Sequence, residues 1–314
     1  ERIDFKHDLA MAYAMNGNYD KSLKIFNDLE KSFGKDESIV MSKVKLMKNM
    51  KHFKEAEQEL IKLCSWDKDE TRYLNFLAEF YIETNQTEKA KEIYNKIVAI
   101  EPENPTVNLS LSDYYKYKGD EKKAFQYLLR AFQNPELEIK IKTDILSEYY
   151  LSAERGNPID YGNGLQLAET MVQQHAESPV ANAIYADFLK LQNKNKDAGL
   201  YYYKSCIYDK NNFRVWQNLL YMDQLNAQFD SLEHHSNEAK ELFPNQPSNY
   251  FYNGLANSQL KNFSKAAQSL KDGLEYAGSD KRLMLDFLTL LGEAYNSLKE
   301  YPKSDKAYED ALKI

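Results

Sequence analysis

The chain repeats itself every 34 residues, and this period limits its possible folds more than any other feature of the sequence. A small or compact residue followed three places later by tyrosine or a large apolar side chain recurs at Ala10 and Tyr13, Val44 and Met47, Ala78 and Tyr81, and Ser112 and Tyr115. Twelve places after each of these comes a second small residue, Ser22, Ala56, Ala90 and Ala124, and four further on a bulky one, Phe26, Leu60, Tyr94 and Leu128. The frame resumes at Ala186, Ala198 and Tyr202, at Leu220 and Leu232, at Gly254, Ala266 and Leu270, and at Gly292, Tyr295, Ser304 and Tyr308. A repeat of this length marks a stacked array, because one such unit cannot bury its apolar face alone.

The step from Ser112 to Ala186 is 74 residues, two periods plus six. One further unit with an insertion fits there, with Leu146 and Tyr149 on its first helix and Leu165, Ala168 and Val172 on its second. The insertion, at 155–164, is expected to form a long connection that loosens the stacking and divides the array into two arms of about four units each. A smaller surplus of four residues stands before the last unit, around Gly278 to Lys281.

Within each unit the apolar places fall three, four and seven apart, as in Leu74, Leu77, Ala78 and Tyr81, which is the spacing of one helix face. Short polar turns such as Asn16-Gly17-Asn18 and Lys118-Gly119-Asp120 separate the two helices of a unit, and proline-bearing breakers such as Asn134-Pro135, Ser178-Pro179 and Pro244 to Pro247 separate the units. With only 11 glycines and 8 prolines in 314 residues, turns are too scarce for a sheet-rich fold. The small residues let paired helix axes approach within about 8–10 Å. The expected fold is therefore all-α: a single superhelix of about nine helix-turn-helix repeats at 3–36, 37–70, 71–104, 105–138, 139–178, 179–212, 213–246, 247–284 and 285–314.

These residues resemble the tetratricopeptide repeat family, whose 34-residue unit has small residues at its eighth and twentieth places and large ones at its fourth, seventh, eleventh and twenty-fourth. Trp216, Leu219, Gly254, Tyr295 and Pro102 match that pattern, and the resemblance covers residues 3 to 314. The seventh unit departs from it at Leu220, Asp223, Leu232 and Ser236. The resemblance implies that the first helix of each unit lines a concave wall that holds a partner. Carried onto this frame, the wall would comprise Arg72, Asn75 and Glu79 in the third unit, Asp113 and Tyr117 in the fourth, Tyr150 in the fifth and Asp187 in the sixth. Farther along it would comprise Arg214, Gln217, Asn218 and Tyr221 in the seventh unit, and Phe251 and Tyr252 in the eighth. Aromatic and amide side chains of this kind suit a polypeptide segment. The family's two-carboxylate clamp for chaperone C-termini is not supplied, since Met41, Lys45 and Glu79 stand at or near its places.

Signatures of catalysis are missing: there is no GxSxG, HExxH, GxxxxGK[ST] or GxGxxG. No enzyme activity, cofactor or metal is therefore expected. Cys64 and Cys206 lack a CxxC spacing and read as packed thiols. Adjacent residues on a helix point about 100° apart, so His234-His235 reads as a solvated pair. His7, His52 and His175 read as ordinary packing or surface residues. The sequons at Asn85, Asn108 and Asn262 read as chance occurrences. With 41 basic against 48 acidic residues, a formal charge of −7, the chain lacks the basic groove that nucleic acid requires. No apolar run approaches the ~18 residues of a membrane span.

The expected function is a non-catalytic scaffold that binds a partner protein or peptide along the concave wall, or joins subunits of an assembly. The alternative is a regulatory or substrate-presenting module of a larger enzyme whose catalytic domain lies outside this chain. The Asn-, Lys- and Tyr-rich units also resemble bacterial envelope-associated tetratricopeptide proteins. That resemblance implies a periplasmic or lipid-anchored location ahead of a cytoplasmic one. The chain begins at Glu1 and stops inside a ninth unit, so truncation is expected, with self-association through uncapped ends as the other possibility.

Overall fold

A computed structural model describes residues 2–314, with side chains described from Phe5 onward. Among the described residues it contains eighteen α-helices and no strand. They pair as α1 (Arg2–Met15) with α2 (Tyr19–Phe33), α3 (Glu37–Asn49) with α4 (Phe53–Cys64), α5 (Thr71–Glu83) with α6 (Thr87–Ile100), and α7 (Pro105–Tyr117) with α8 (Glu121–Gln133). Next come α9 (Ile139–Glu154) with α10 (Pro158–Gln174), α11 (Pro179–Leu191) with α12 (Asn195–Tyr208), and α13 (Phe213–Leu225) with α14 (Phe229–Leu242). The series closes with α15 (Pro247–Gln259) and α16 (Phe263–Leu274), then α17 (Lys281–Ser297) and α18 (Tyr301–Leu312).

The same turn closes every hairpin. One residue in each takes positive φ: Gly17, Lys51, Asn85, Gly119, Gly156, Asn193, Ala227, Lys261 and Lys299. The amide after it then donates back to the carbonyl five residues earlier, as from Asn18 to Tyr13 (2.8 Å), Gln86 to Tyr81 (2.7 Å) and Glu300 to Tyr295 (2.9 Å). This satisfies carbonyls that a helix end would otherwise leave unpaired. Glycine adopts that conformation freely, whereas Ala227, at φ 51°, holds it against its own Cβ.

Where the helices of a hairpin cross, the two small columns meet. Ala10, Ala56, Ala78, Ala90, Ala186, Ala198 and Ala266 are all fully buried. Two serines turn the close approach into a bond: Ser22 Oγ donates to the Ala10 carbonyl at 2.7 Å, and Ser304 Oγ to the Gly292 carbonyl at 2.8 Å. Consecutive hairpins are joined by a second recurring device. At the fourth place of the repeat, Asn108, Asn182 and Trp216 each donate a side-chain N–H to the carbonyl six residues earlier, those of Pro102 (2.9 Å), Ala176 (2.8 Å) and Lys210 (3.0 Å). Asn249, one place earlier in its repeat, does the same to Phe243 at 3.1 Å. With its amide so engaged and its side chain buried, Asn108 offers no glycosylation acceptor on the folded chain.

The six extra residues of the fifth repeat do not form a long connection. Only Arg155, Gly156 and Asn157 lie between α9 and α10, and Gly156 makes the ordinary turn. The surplus lengthens the helices instead, to 16 residues in α9 and 17 in α10 against 13 in α11. Pro158 takes the first helical position, and the Asn157 side chain caps the Ile159 and Asp160 amides. The insertion does not divide the array either. The chain forms two compact units, one running to Leu137 and the other covering Glu138–Ile314, so the division falls before the fifth repeat.

In the first unit, the buried ammonium of Lys43 is held by Glu30 at 2.8 Å and by Glu59. In the second, the departure in the seventh repeat is filled by a different contact. Leu220 and Leu232 replace the small pair and are fully buried, and His235 Nδ1 meets Asp223 Oδ2 at 2.7 Å. His235 is thus a buried, bonded residue with its ring 4.7 Å from that of Tyr203, and only His234 is exposed. The reading of a solvated pair fails here because burial was decided by a partner twelve residues away.

A Cβ added at Gly164 would come 2.5 Å from the Phe188 ring and 3.0 Å from the Tyr149 Cβ. Gly164→Ala is expected to lower stability by about 1–3 kcal/mol through overpacking. Ala227→Gly is expected to raise it by about 0.5–1 kcal/mol by relieving the left-handed turn. Urea midpoints of the two variants moving in the same direction would refute this account of crossing and turn.

Candidate functional site

Three successive first helices of the second unit, α9, α11 and α13, border a cleft of about 530 Å³. Helical spacing selects its wall. From α9 come Thr143, Ser147, Tyr150 and Glu154; from α11, Val180, Ile184 and Asp187; and from α13, Arg214 and Asn218. Each set steps by three or four residues and so shares one face. Tyr202 and Ser205 of α12 and the linker residues Asp209 and Asn212 complete the lining. Four wall residues expected from the sequence, Tyr150, Asp187, Arg214 and Asn218, thus converge on one cleft.

Asp187 organises the interior of the cleft. Its carboxylate accepts from the Tyr202 hydroxyl, lies 3.8 Å from the Lys190 ammonium, and its side chain is only 18% exposed. Lys190 also donates to Asn218 Oδ1 at 3.3 Å. Burial first, and then the negative charge of Asp187, hold the hydroxyls of Tyr150 and Tyr202 protonated far above the usual tyrosine range. Arg214 acts on both tyrosines in the opposite sense but more weakly. Among the described residues Arg214 makes no ion pair. Leu151 and Val180, 52% and 44% exposed, add an apolar ledge. Such a cleft offers apolar surface, amide and hydroxyl groups and a carboxylate in its interior, which are groups suited to binding.

The other expected wall residues are placed differently. Gln217 and Tyr221 are exposed on α13. Phe251 is taken up by packing, its ring 5.6 Å from Phe287, and Tyr252 packs against the core around Trp216. In the first unit, Arg72 pairs with Glu37 at 2.7 Å, Asn75 is half-buried, and Glu79 and Asp113 are exposed on α5 and α7. Tyr117 stands 80% exposed beside Lys118. Sequence reasoning missed Glu154, Asp209, Tyr202 and Ser205 as cleft residues. The first comes from the lengthened end of α9, the second from a linker, and the last two from a second helix.

The hairpins α5–α6 and α17–α18, one in each unit, carry the segments 71–104 and 285–314 that match the tetratricopeptide repeat family model. The left-handed turn recurs from hairpin to hairpin in the same register. The chain is an all-α array of helical hairpins, two of which match the tetratricopeptide repeat model. No curated protein sequence matches it. Among solved structures it is similar to the crystal structure of MamA, at 13% identity and a TM-score of 0.44, over 49% of this chain and 88% of that one. It is similar also to MamA 41-end from Desulfovibrio magneticus RS-1, at 11% identity and a TM-score of 0.46, over 55% and 94%.

Elsewhere among the described residues the displaced ionisable groups lie mostly in the packed interior. Among the described residues no group of three His, Cys, Asp or Glu is placed to hold a metal ion, and no helix is long and apolar enough to cross a membrane. Cys206 is buried and its thiol is pushed up to about 12, chiefly by burial, and Cys64 is half-buried. Lys142 of α9 is fully buried, and burial pulls its ammonium down to about 8. It approaches His175 Nε2 at 3.0 Å. Burial, and then the charge of Lys142, lower His175 below its ordinary value. His175 is therefore a contact of a buried lysine, not an isolated residue.

Unfolded, Lys142 would keep its proton to about its ordinary 10.5, against about 8 when folded. Between those pH values the unfolded chain binds more protons, so this group makes stability rise with pH, and its penalty is fully present below about pH 8. Lys142→Met is expected to be more stable than the parent at neutral pH by about 1–3 kcal/mol and to flatten that rise. Thermal midpoints measured on both sides of the window check it; an unchanged slope in the variant would contradict the assignment.

Proposed function

We propose that this chain is a non-catalytic scaffold that captures an extended segment of a partner protein along the first-helix wall of its second unit. The observation that carries this reading is the convergence of Tyr150, Asp187, Arg214 and Asn218, from three consecutive repeats, on one cleft. Contacts collected from successive repeats suit an elongated ligand, because each helix adds one small set of groups along the segment. Tyr150 supplies contact area at little entropic cost, and Asn218 and Arg214 can grip a backbone. The surplus of acidic residues supports a polypeptide rather than a nucleic acid as the partner. In the first unit, the exposed Tyr117 and the Arg72–Glu37 pair offer further but shallower wall. A place in a bacterial envelope assembly is part of the same proposal, supported by the composition of the repeats.

Val180 is 44% exposed at the cleft, so Val180→Trp fills the site from the solvent side without disturbing the core. Pull-down from the native cell followed by mass spectrometry, with matched circular dichroism of both proteins, is expected to show the principal partner reduced at least about tenfold in the variant. Equal recovery of that partner by the folded variant would place the binding surface elsewhere.

A further inference from the structure

Charge and shape in the cleft narrow the partner's chemistry, on the reading above that the cleft takes a polypeptide. Its lining contains three carboxylates, Glu154, Asp187 and Asp209, against one guanidinium, Arg214. The Lys190 ammonium, beside Asp187 and shared with Asn218, leaves one negative charge in excess. Of these charges Asp187 is the one placed inside, while Glu154 is exposed like Arg214. Asp187 sits in the interior beside the Tyr150 and Tyr202 hydroxyls, whose protonation it governs more strongly than Arg214 does, whereas Arg214 is exposed. The interior is therefore negative.

Apolar surface leads up to that interior. Leu151 and Val180 are about half exposed, and Ile184 lies next to them in the lining. This arrangement fits a side chain with a hydrocarbon stem and a cationic head. The stem lies on apolar groups while the head reaches carboxylates and an aromatic ring, and each half of the cleft then meets its complement. A purely apolar side chain would desolvate Glu154 and Asp187 without adding to the Tyr150, Tyr202 and Lys190 contacts they already have, and an acidic one would be repelled. A backbone carbonyl beside the anchor falls within the province of Arg214 and Asn218.

We propose that the cleft of the second unit recognises an arginine or lysine side chain flanked by apolar residues in an extended partner segment, with its methylenes on Leu151, Val180 and Ile184 and its head at Glu154, Asp187 and the Tyr150 ring. The net charge of the lining argues against an acidic C-terminal tail as the occupant.

A phage-displayed random peptide library panned against the whole chain, with counter-selection on Val180→Trp, tests this. Cleft-dependent peptides are expected to carry an arginine or lysine next to a large apolar residue. Replacing that arginine with citrulline, or that lysine with norleucine, should weaken binding about tenfold, and Glu154→Gln should weaken the parent peptide by about three- to tenfold while leaving the neutral peptide unchanged. Asp187→Asn should act in the same sense; Glu154→Gln, at an exposed position, keeps the test valid if Asp187→Asn fails to fold. Cleft-dependent peptides that are neutral or acidic would overturn the basic anchor and leave polypeptide capture standing. Peptides that bind parent and Val180→Trp equally would overturn both readings, and recovery of no peptide would overturn the anchor.

Discussion

The close crossing of two helices within each hairpin is the contact from which the rest of this structure follows. It favours small side chains at the eighth and twentieth places, admits Val44 opposite Ala56, and in the seventh repeat is replaced by the Leu220–Leu232 pair beside the Asp223–His235 contact. In the first and last hairpins a serine hydroxyl bonds across the crossing, which removes a polar group that burial would otherwise penalise. The left-handed turn sets the approach of the two helices, and the donor at the fourth place ties the next hairpin to the preceding linker. Crossing and turn recur in every hairpin and the linker bond in those of Asn108, Asn182, Trp216 and Asn249, and together they set which residues share a wall.

The register was legible in the sequence because the same contact recurs and leaves the same residue types at the same spacing. What could not be counted out was where surplus residues go. Pro158, Gly162 and Gly164 read as loop formers, yet Pro158 starts α10, and Gly164 is held inside it by the Phe188 ring. Asn157 was the available signal, since asparagine directly before proline is a helix cap as readily as a loop residue. His235 shows the complementary limit. Its position on a second helix was legible, but its burial depended on Asp223, on the other helix of the hairpin. The amides of Asn108, Asn182 and Asn249 were missed although they left a pattern: a strong donor six residues after a linker carbonyl, at or one place before the position where Trp216 does the same work.

The candidate site was legible to the extent that it follows from first-helix spacing. Tyr150, Asp187, Arg214 and Asn218 share a cleft because three first helices stand side by side and present equivalent faces. Phe251 lies on such a helix too, but packing with Phe287 claims its ring. Whether a given outward place is wall or inter-repeat contact depends on the size of the neighbour in the next hairpin, which a single repeat's pattern does not encode. Glu154 lies at the end of α9, which is longer than the neighbouring first helices, so the surplus residues of the fifth repeat shape the site rather than interrupt the array. A wall built on helices held by crossing, turn and linker bonds is fixed before any ligand arrives, which limits the ordering cost of capture.

The central claim is that capture takes place on first helices of the second unit. Amide hydrogen exchange of the whole chain, with and without a cleft-selected peptide, tests it most directly. Added protection confined to α9, α11 and α13, with α10, α14 and the first unit unchanged, is the result this account predicts; protection centred on second helices, or on the first unit, would contradict it.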